Sequence, residues 1–238
     1  MIPKIIYQTW KTQKLDNKIH KLHSKMLKVN ADYSHIIYTD DQMFDYVKAN
    51  YDKEIFTYFE RINNIVSRAD FWRYLILYKD GGVYLDIDSL IVRDLNGLIE
   101  KNDECVITAE KNYNCFVQWA LIFNKNHPIL EKTINNLIAN IENNRYKNDL
   151  LNFSVKPYWD AINETITTES LDITWDDISD KTNRLFNLKD SNVRFYGVDY
   201  GDYIIFKHKY NHLLRGKKAG DYTKDHWTLT QKQFDVYT

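Results

Sequence analysis

Ser67-Arg-Ala-Asp-Phe-Trp-Arg-Tyr-Leu-Ile-Leu-Tyr-Lys-Asp-Gly-Gly-Val-Tyr-Leu-Asp-Ile-Asp88 changes its pattern midway, and that change decides the fold. Over residues 64–79 the apolar positions Ile65, Ala69, Trp72, Leu75 and Ile76 recur at helical spacing. Gly81-Gly82 supplies the stop signal. Val83-Tyr-Leu85 then reads as a short buried strand that runs into Asp86-Ile-Asp88. In a strand, residues i and i+2 share a side, so both carboxylates are expected to converge while Ile87 turns into the core. Two carboxylates are too few for an all-protein cage. They suit Mn2+ or Mg2+ that shares its remaining positions with phosphates and water.

The helix ahead of this pair carries a polar stripe of Ser67, Arg68, Asp70 and Arg73 on an otherwise core-facing element. Asp70 and Arg73 are spaced i, i+3 and lie on one face. Standing alone, such a pair is an ordinary surface ion pair of small value. Beside a metal-binding pair, Asp70 becomes a candidate acceptor for sugar hydroxyls. Arg73 becomes a fork-shaped donor to phosphate or sugar oxygens.

Working outward, Lys4-Ile-Ile-Tyr-Gln-Thr-Trp10 reads as a buried strand and 15–29 as an amphipathic helix. Ser34-His-Ile-Ile-Tyr-Thr39 reads as a second strand, and Asp40 and Asp41 stand where an N-cap is expected for a helix at 43–48. Downstream, strands are expected at 104–109, 117–123, 192–196 and 203–206. Helices are expected at 150–166 and from Pro128 to about residue 140, and the Lys- and Gly-rich stretch 211–225 is expected to be a mobile loop. The alternation predicts an α/β domain with a mostly parallel sheet.

The bulk numbers fit this plan. A chain of 238 residues suits one domain, and it buries enough surface, roughly 70–75%, to fold without disulfides. Basic residues number 32 and acidic ones 33, so the basic surplus of a general nucleic-acid binder is missing. The Lys-rich stretch 4–28 reads as the solvated face of a helix. Cys105 and Cys115 have no matching Cys/His pair, which excludes a zinc signature. No apolar run approaches the ~20 residues of a membrane span, and no signal-peptide pattern opens the sequence. A cytoplasmic location follows as the expectation, with peripheral membrane association as its variant.

Two segments together carry a family resemblance. The opening Ile2-Pro-Lys-Ile-Ile-Tyr-Gln-Thr-Trp10 and the stretch 67–88, in that order, resemble family 32 glycosyltransferases with the sugar-binding DXD motif. That family includes the initiating α-1,6-mannosyltransferases and is related to the glucosyltransferase domains of large clostridial toxins. The resemblance implies a GT-A-type (Rossmann-like) fold: a mixed sheet flanked by helices in a single domain, 1–238. Its donor- and metal-binding half would be 1–125 and its acceptor-side half 126–238. It also implies a retaining hexosyltransferase that uses a nucleotide-sugar donor (GDP-mannose, UDP-galactose or UDP-glucose type), a divalent metal, and a glycan or other hydroxyl acceptor.

Residue by residue, Asp86 and Asp88 match the DXD pair, with Asp88 toward the metal and Asp86 nearer the ribose. Asp70 and Arg73 match the donor-sugar contacts, and Gln8, Thr9 and Trp10 match the strand end beside the nucleotide. Asp225-His-Trp227 is similar to a late segment of the family whose histidine approaches the metal-diphosphate, which makes His226 a candidate ligand. Ser154-Val-Lys-Pro157 stands where the family carries a Thr-Gly-Pro segment. Two rival readings have other consequences. A haloacid-dehalogenase-like phosphatase would use the first aspartate as nucleophile, and a non-catalytic sugar-binding module would bind without turnover.

Overall fold

The computed structural model describes residues 1–15, 17–110, 115–169, 183–188, 191–205 and 235–238. Among them, β1 (Ile5–Thr9), α1 (Asn17–Val29), β2 (Ser34–Tyr38) and α2 (Asp40–Asn50) open the chain. They are followed by α3 (Lys53–Arg61), α4 (Ile65–Asp80), β3 (Gly82–Leu85), β4 (Leu90–Ile91), β5 (Cys105–Ala109) and β6 (Ala120–Phe123). The remaining elements are α5 (Pro128–Glu142), α6 (Lys156–Thr168), β7 (Asn183–Leu188), β8 (Ser191–Val198) and β9 (Ile204–Ile205).

Seven strands form one sheet in the order β2-β1-β3-β6-β5-β8-β7, and β4 and β9 form a second, two-stranded one. The sheet is mixed. β2, β1 and β3 run parallel, β6 is antiparallel to both neighbours, β5 and β8 are parallel, and β7 is antiparallel to β8. The mostly parallel reading therefore holds for β2, β1 and β3, and β5 with β8 is the other parallel pair of the main sheet. The helix-flanked mixed α/β architecture expected from the family resemblance is the one observed.

Alternation along the strands sorts side chains to the two faces. Tyr7, Tyr84, Leu121 and Phe123 join Phe71, Trp72, Leu75 and Ile129 in one core. Ile6, Val83, Leu85 and Ile122 pack with Met26, Leu90 and Leu95 in the other. Helix α4 is the central element. Asn64 caps it through bonds from the Val66 and Ser67 amides, and every residue from Asp70 to Leu77 is buried. Burial of each large apolar side chain there contributes roughly 1.5–3 kcal/mol, which offsets the cost of burying Asp70 and Arg73 beside them. At the other end Gly81 (φ 68°) and Gly82 (φ 119°) turn the chain into β3. A Cβ at Gly82 would sit 2.8 Å from the Ile5 carbonyl, so only glycine lets β3 approach β1 this closely.

Several local expectations are corrected. Thr39, rather than Asp40 or Asp41, caps α2. Its hydroxyl accepts from the Gln42 amide while the Gln42 side chain returns to the Thr39 amide, a reciprocal capping box. Strand β6 is shorter than expected, and the helix expected at 150–166 begins as a π-helical turn at Leu151–Val155. The late strand expected at 203–206 is β9, which pairs with β4 instead of joining the main sheet. Helix α3 and strands β4 and β7 were not expected at all. The expected loop at 211–225 and His226 lie outside the described residues.

Candidate functional site

The parallel strands β1 and β3 end side by side, with Tyr7 paired to Tyr84, so Gln8, Thr9 and Trp10 emerge next to Asp86. Because α4 leads into β3, its N-terminal half returns to this same end of the sheet and brings Asp70 and Arg73 with it. The strand does not continue through Asp86-Ile87-Asp88. It ends at Leu85, the Asp86 amide donates to the Trp119 carbonyl, and the Ser89 amide closes a turn onto the Asp86 carbonyl at 2.9 Å. Strand alternation therefore does not align the two carboxylates, and Ile87 is only half-buried. The two charges still act on one another across the turn.

Arg73 organises the site. Its Nη2 lies 2.9 Å from Asp70 Oδ1 and 3.1 Å from Asp86 Oδ1. Its Nη1 donates to both the backbone and the side-chain oxygen of Gln118, at 2.9 and 2.8 Å. The guanidinium also stacks over the Tyr84 ring, 4.3 Å from its centre. Burial opposes its charge, yet Asp86 and the other facing groups outweigh burial and hold its pKa above the ordinary value. The i, i+3 pair, which standing alone would read as a surface ion pair, is thus a buried one.

Asp70 is equally enclosed. Ser154 Oγ donates to Oδ2 at 2.6 Å, and Gln118 Nε2 donates to Oδ1 at 3.1 Å and to the Tyr74 hydroxyl oxygen at 2.9 Å. The Tyr74 hydroxyl itself donates to the Ser154 carbonyl at 2.9 Å. Asp86 accepts from Tyr84 at 2.9 Å, and Thr9 Oγ1 lies 3.3 Å from the same hydroxyl. Burial pushes the Asp86 carboxyl up to about 6. Arg73 pulls it down, whereas Asp88 and Asp70 add to the rise. Asp70 and Asp86 therefore share the Arg73 guanidinium, and the buried Arg73 Nε has no hydrogen-bond partner. Among the described residues no group of three His, Cys, Asp or Glu side chains is arranged to hold a metal alone. The residues present fit a divalent cation that takes two carboxylates from the protein and its other ligands from substrate.

The structure thus brings Thr9, Asp70, Arg73 and Asp86 together, with Asp88 on the same turn. Trp10 is half-exposed at the strand end, with the Lys11 ammonium 5.6 Å from its ring centre. Gln8 is fully buried, and the protein itself occupies its amide, which donates to the Asp86 carbonyl at 3.3 Å and accepts from His35 at 2.8 Å. Gln118 and Ser154 were not identified as site residues from sequence. They lie 48 and 84 positions from Asp70 in the chain, and only tertiary packing delivers them.

Residues 16–105 match the family described as glycosyltransferase sugar-binding region containing DXD motif. The chain is similar to that family over these residues, which make up less than half of its length. It is 33% identical over 136 residues to inositol phosphoceramide mannosyltransferase 3 of Schizosaccharomyces pombe, covering 57% of this chain and 37% of the relative. It is 27% identical over 169 residues to the uncharacterized glycosyltransferase L373 of Acanthamoeba polyphaga mimivirus, covering 69% of this chain and 66% of that protein. It is also 26% identical over 161 residues to the initiation-specific alpha-1,6-mannosyltransferase of Candida albicans, covering 56% and 41%. The chain therefore spans between about a third and two thirds of the length of these relatives. Among solved structures, PaToxG Glycosyltransferase superimposes with a TM-score of 0.57 at 21% identity over 70% of each chain, a likeness of fold. No helix among the described residues is long and apolar enough to cross a membrane.

Proposed function

We propose that this chain is a metal-assisted, retaining hexosyltransferase that moves a sugar, mannose first among the candidates, from a nucleotide-sugar donor to a hydroxyl acceptor. The observation that carries the reading is the cluster at the end of β1 and β3, where Asp70 and Asp86 share the buried Arg73 guanidinium and Asp88 stands on the adjoining turn. The names of the mannosyltransferase relatives favour GDP-mannose over UDP-galactose and UDP-glucose, and an inositol or glycan hydroxyl as acceptor.

In this reading Asp88, with Asp86, holds the Mn2+ or Mg2+. When bound, that ion neutralises the charge growing on a departing nucleoside diphosphate. Asp70 keeps one geometry through Ser154 and Gln118 and accepts hydrogen bonds from the donor sugar's hydroxyls. Arg73, clamped by Gln118, offers fixed positive charge to the oxygens of the reacting centre. Pre-set geometry of this kind lowers the barrier because little reorganisation remains to be done at the moment of reaction. Thr9 and Trp10 flank the nucleotide, and His226 supplies a further donor to the diphosphate. The half 1–125 then binds donor and metal, and the half 126–238 faces the acceptor, apart from Ser154, which serves the donor sugar.

A panel of nucleotide sugars tested with Mn2+, read by thermal stabilisation and by release of nucleoside diphosphate, checks the reading. One donor should stabilise the protein and be turned over only with the metal. Release of inorganic phosphate from a generic ester, with no response to any nucleotide sugar, would replace it with a phosphatase.

A further inference from the structure

Behind the Asp86–Asp88 turn lies a polar chain that no substrate contact accounts for. Gln8, fully buried on β1, reaches the Asp86 carbonyl with its side-chain nitrogen at 3.3 Å, and its side-chain oxygen lies 2.8 Å from His35 Nε2 on β2. The direction of this chain is fixed by chemistry. A backbone carbonyl only accepts, so the Gln8 atom facing Asp86 is the NH2 group, and its oxygen faces His35. His35 must then carry its proton on Nε2. Burial lowers the His35 pKa, so the ring is the neutral Nε2–H tautomer at neutral pH. His23, buried on α1, packs edge-on against His35 with ring centres 5.6 Å apart. Its nitrogens make no hydrogen bond of normal geometry, and the ring stands close to the Ile87 backbone.

We infer that His35 and Gln8 form a positioning relay that fixes the metal-binding turn, with His35 acting on Asp86 only through the Gln8 amide. Without a donor at position 35 the Gln8 amide can rotate and present its oxygen to the Asp86 carbonyl, a repulsive arrangement. The same carbonyl accepts the Ser89 amide that closes the turn, so losing the relay loosens that closing bond and the turn that carries Asp88. Sequence reading placed Gln8 beside the nucleotide. The relay gives it a second task underneath the motif, and it assigns His35 a task where none was expected.

The turn's own rigidity is the primary readout and needs no ligand. In His35→Leu and Gln8→Leu, hydrogen exchange of the Ser89 amide should quicken about tenfold or more, while the amides of Leu75 and Leu77 in α4 keep their wild-type rates. His35→Gln, which restores a donor to Gln8, should return Ser89 exchange toward wild type. Mn2+ affinity should follow the same order, about 10- to 100-fold weaker in the two leucine variants, as expected for partners that orient a metal ligand. Unchanged Ser89 exchange in His35→Leu, or an equal rise at Ser89 and throughout α4, would overturn the relay. The metal readout rests on the proposed function. If the wild-type protein takes up no Mn2+, that function fails, and Ser89 exchange still decides the relay by itself.

Discussion

Two buried arginines show how the same residue types make either a strut or a site. Arg194 on β8 lies near the opposite end of the sheet from the motif turn. Its Nε donates to Asp103 Oδ1 and Oδ2 at 2.9 and 3.0 Å, and its Nη2 meets Asp103 and Glu100. Asp103 also accepts the Glu100 amide. One fully buried carboxylate matches one guanidinium there, and Glu100 sits at the exposed rim. At Arg73 the balance differs: two carboxylates share one Nη2, a third stands on the adjoining turn, and Nε has no partner. A closed cluster fixes the fold. The Arg73 cluster, whose Nε is unpartnered, is the one proposed to receive donor and cation.

This contrast can be broken by substitution. The largest expected effect is on the closed cluster. Arg194→Leu leaves Asp103 buried and unpaired, and should cost about 3–5 kcal/mol in urea unfolding. Arg73→Lys keeps a charge at the open cluster but loses the fork that spans Asp70, Asp86 and Gln118. It should fold and lower donor turnover about 100-fold, whereas Arg194→Lys should leave turnover per folded molecule near wild type. Mn2+ at a hundred times its dissociation constant should raise wild-type stability by about 2.7 kcal/mol, and Asp88→Asn should remove that increment.

The smallest effect is a pH signature. The Asp86 pKa lies above its ordinary value, so the folded state holds this proton more tightly than the unfolded one. The group's contribution to stability falls as pH rises from about 4 to about 6. Asp86→Asn should therefore make the metal-free protein more stable at pH 7 by about 1 kcal/mol, a gain that vanishes near pH 4. A gain that persists at pH 4 would show that the Asp86 charge is not its cause.

The open cluster was only half legible in the sequence. Asp70, Arg73, Asp86 and Asp88 lie within one helix–strand unit, where helical spacing, the Gly-Gly stop and the apolar run are strong local signals. The inference that strand alternation aligns the aspartates failed, because the Ser89 amide closes a turn that periodicity cannot reveal. Gln118 lacks any local mark, and Ser154 is marked only by its place in the segment that stands for Thr-Gly-Pro. An amide before β6 and a serine in a π-helical turn become donor-side residues only when α4 packs between them. Helix α3 did leave a signal. Asp52 stands as its N-cap and Ile55, Phe56, Phe59 and Ile62 follow at helical spacing, but the element is short and its flanks carry no Gly or Pro punctuation. The antiparallel insertion of β6 depends on long-range pairing, which a local alternation of strands and helices does not encode.

The central claim is the proposal that the Asp70–Arg73–Asp86 cluster and its adjoining turn form a cation and donor site, whereas the Arg194 cluster is closed. Crystals soaked with Mn2+ and a nucleoside diphosphate, measured for anomalous scattering at the manganese edge, test it directly. The account predicts a single strong peak at the Asp86–Asp88 turn, lost in Asp88→Asn, with none beside Asp103. A featureless map at the turn, or a peak at Asp103 and Glu100 instead, would contradict it.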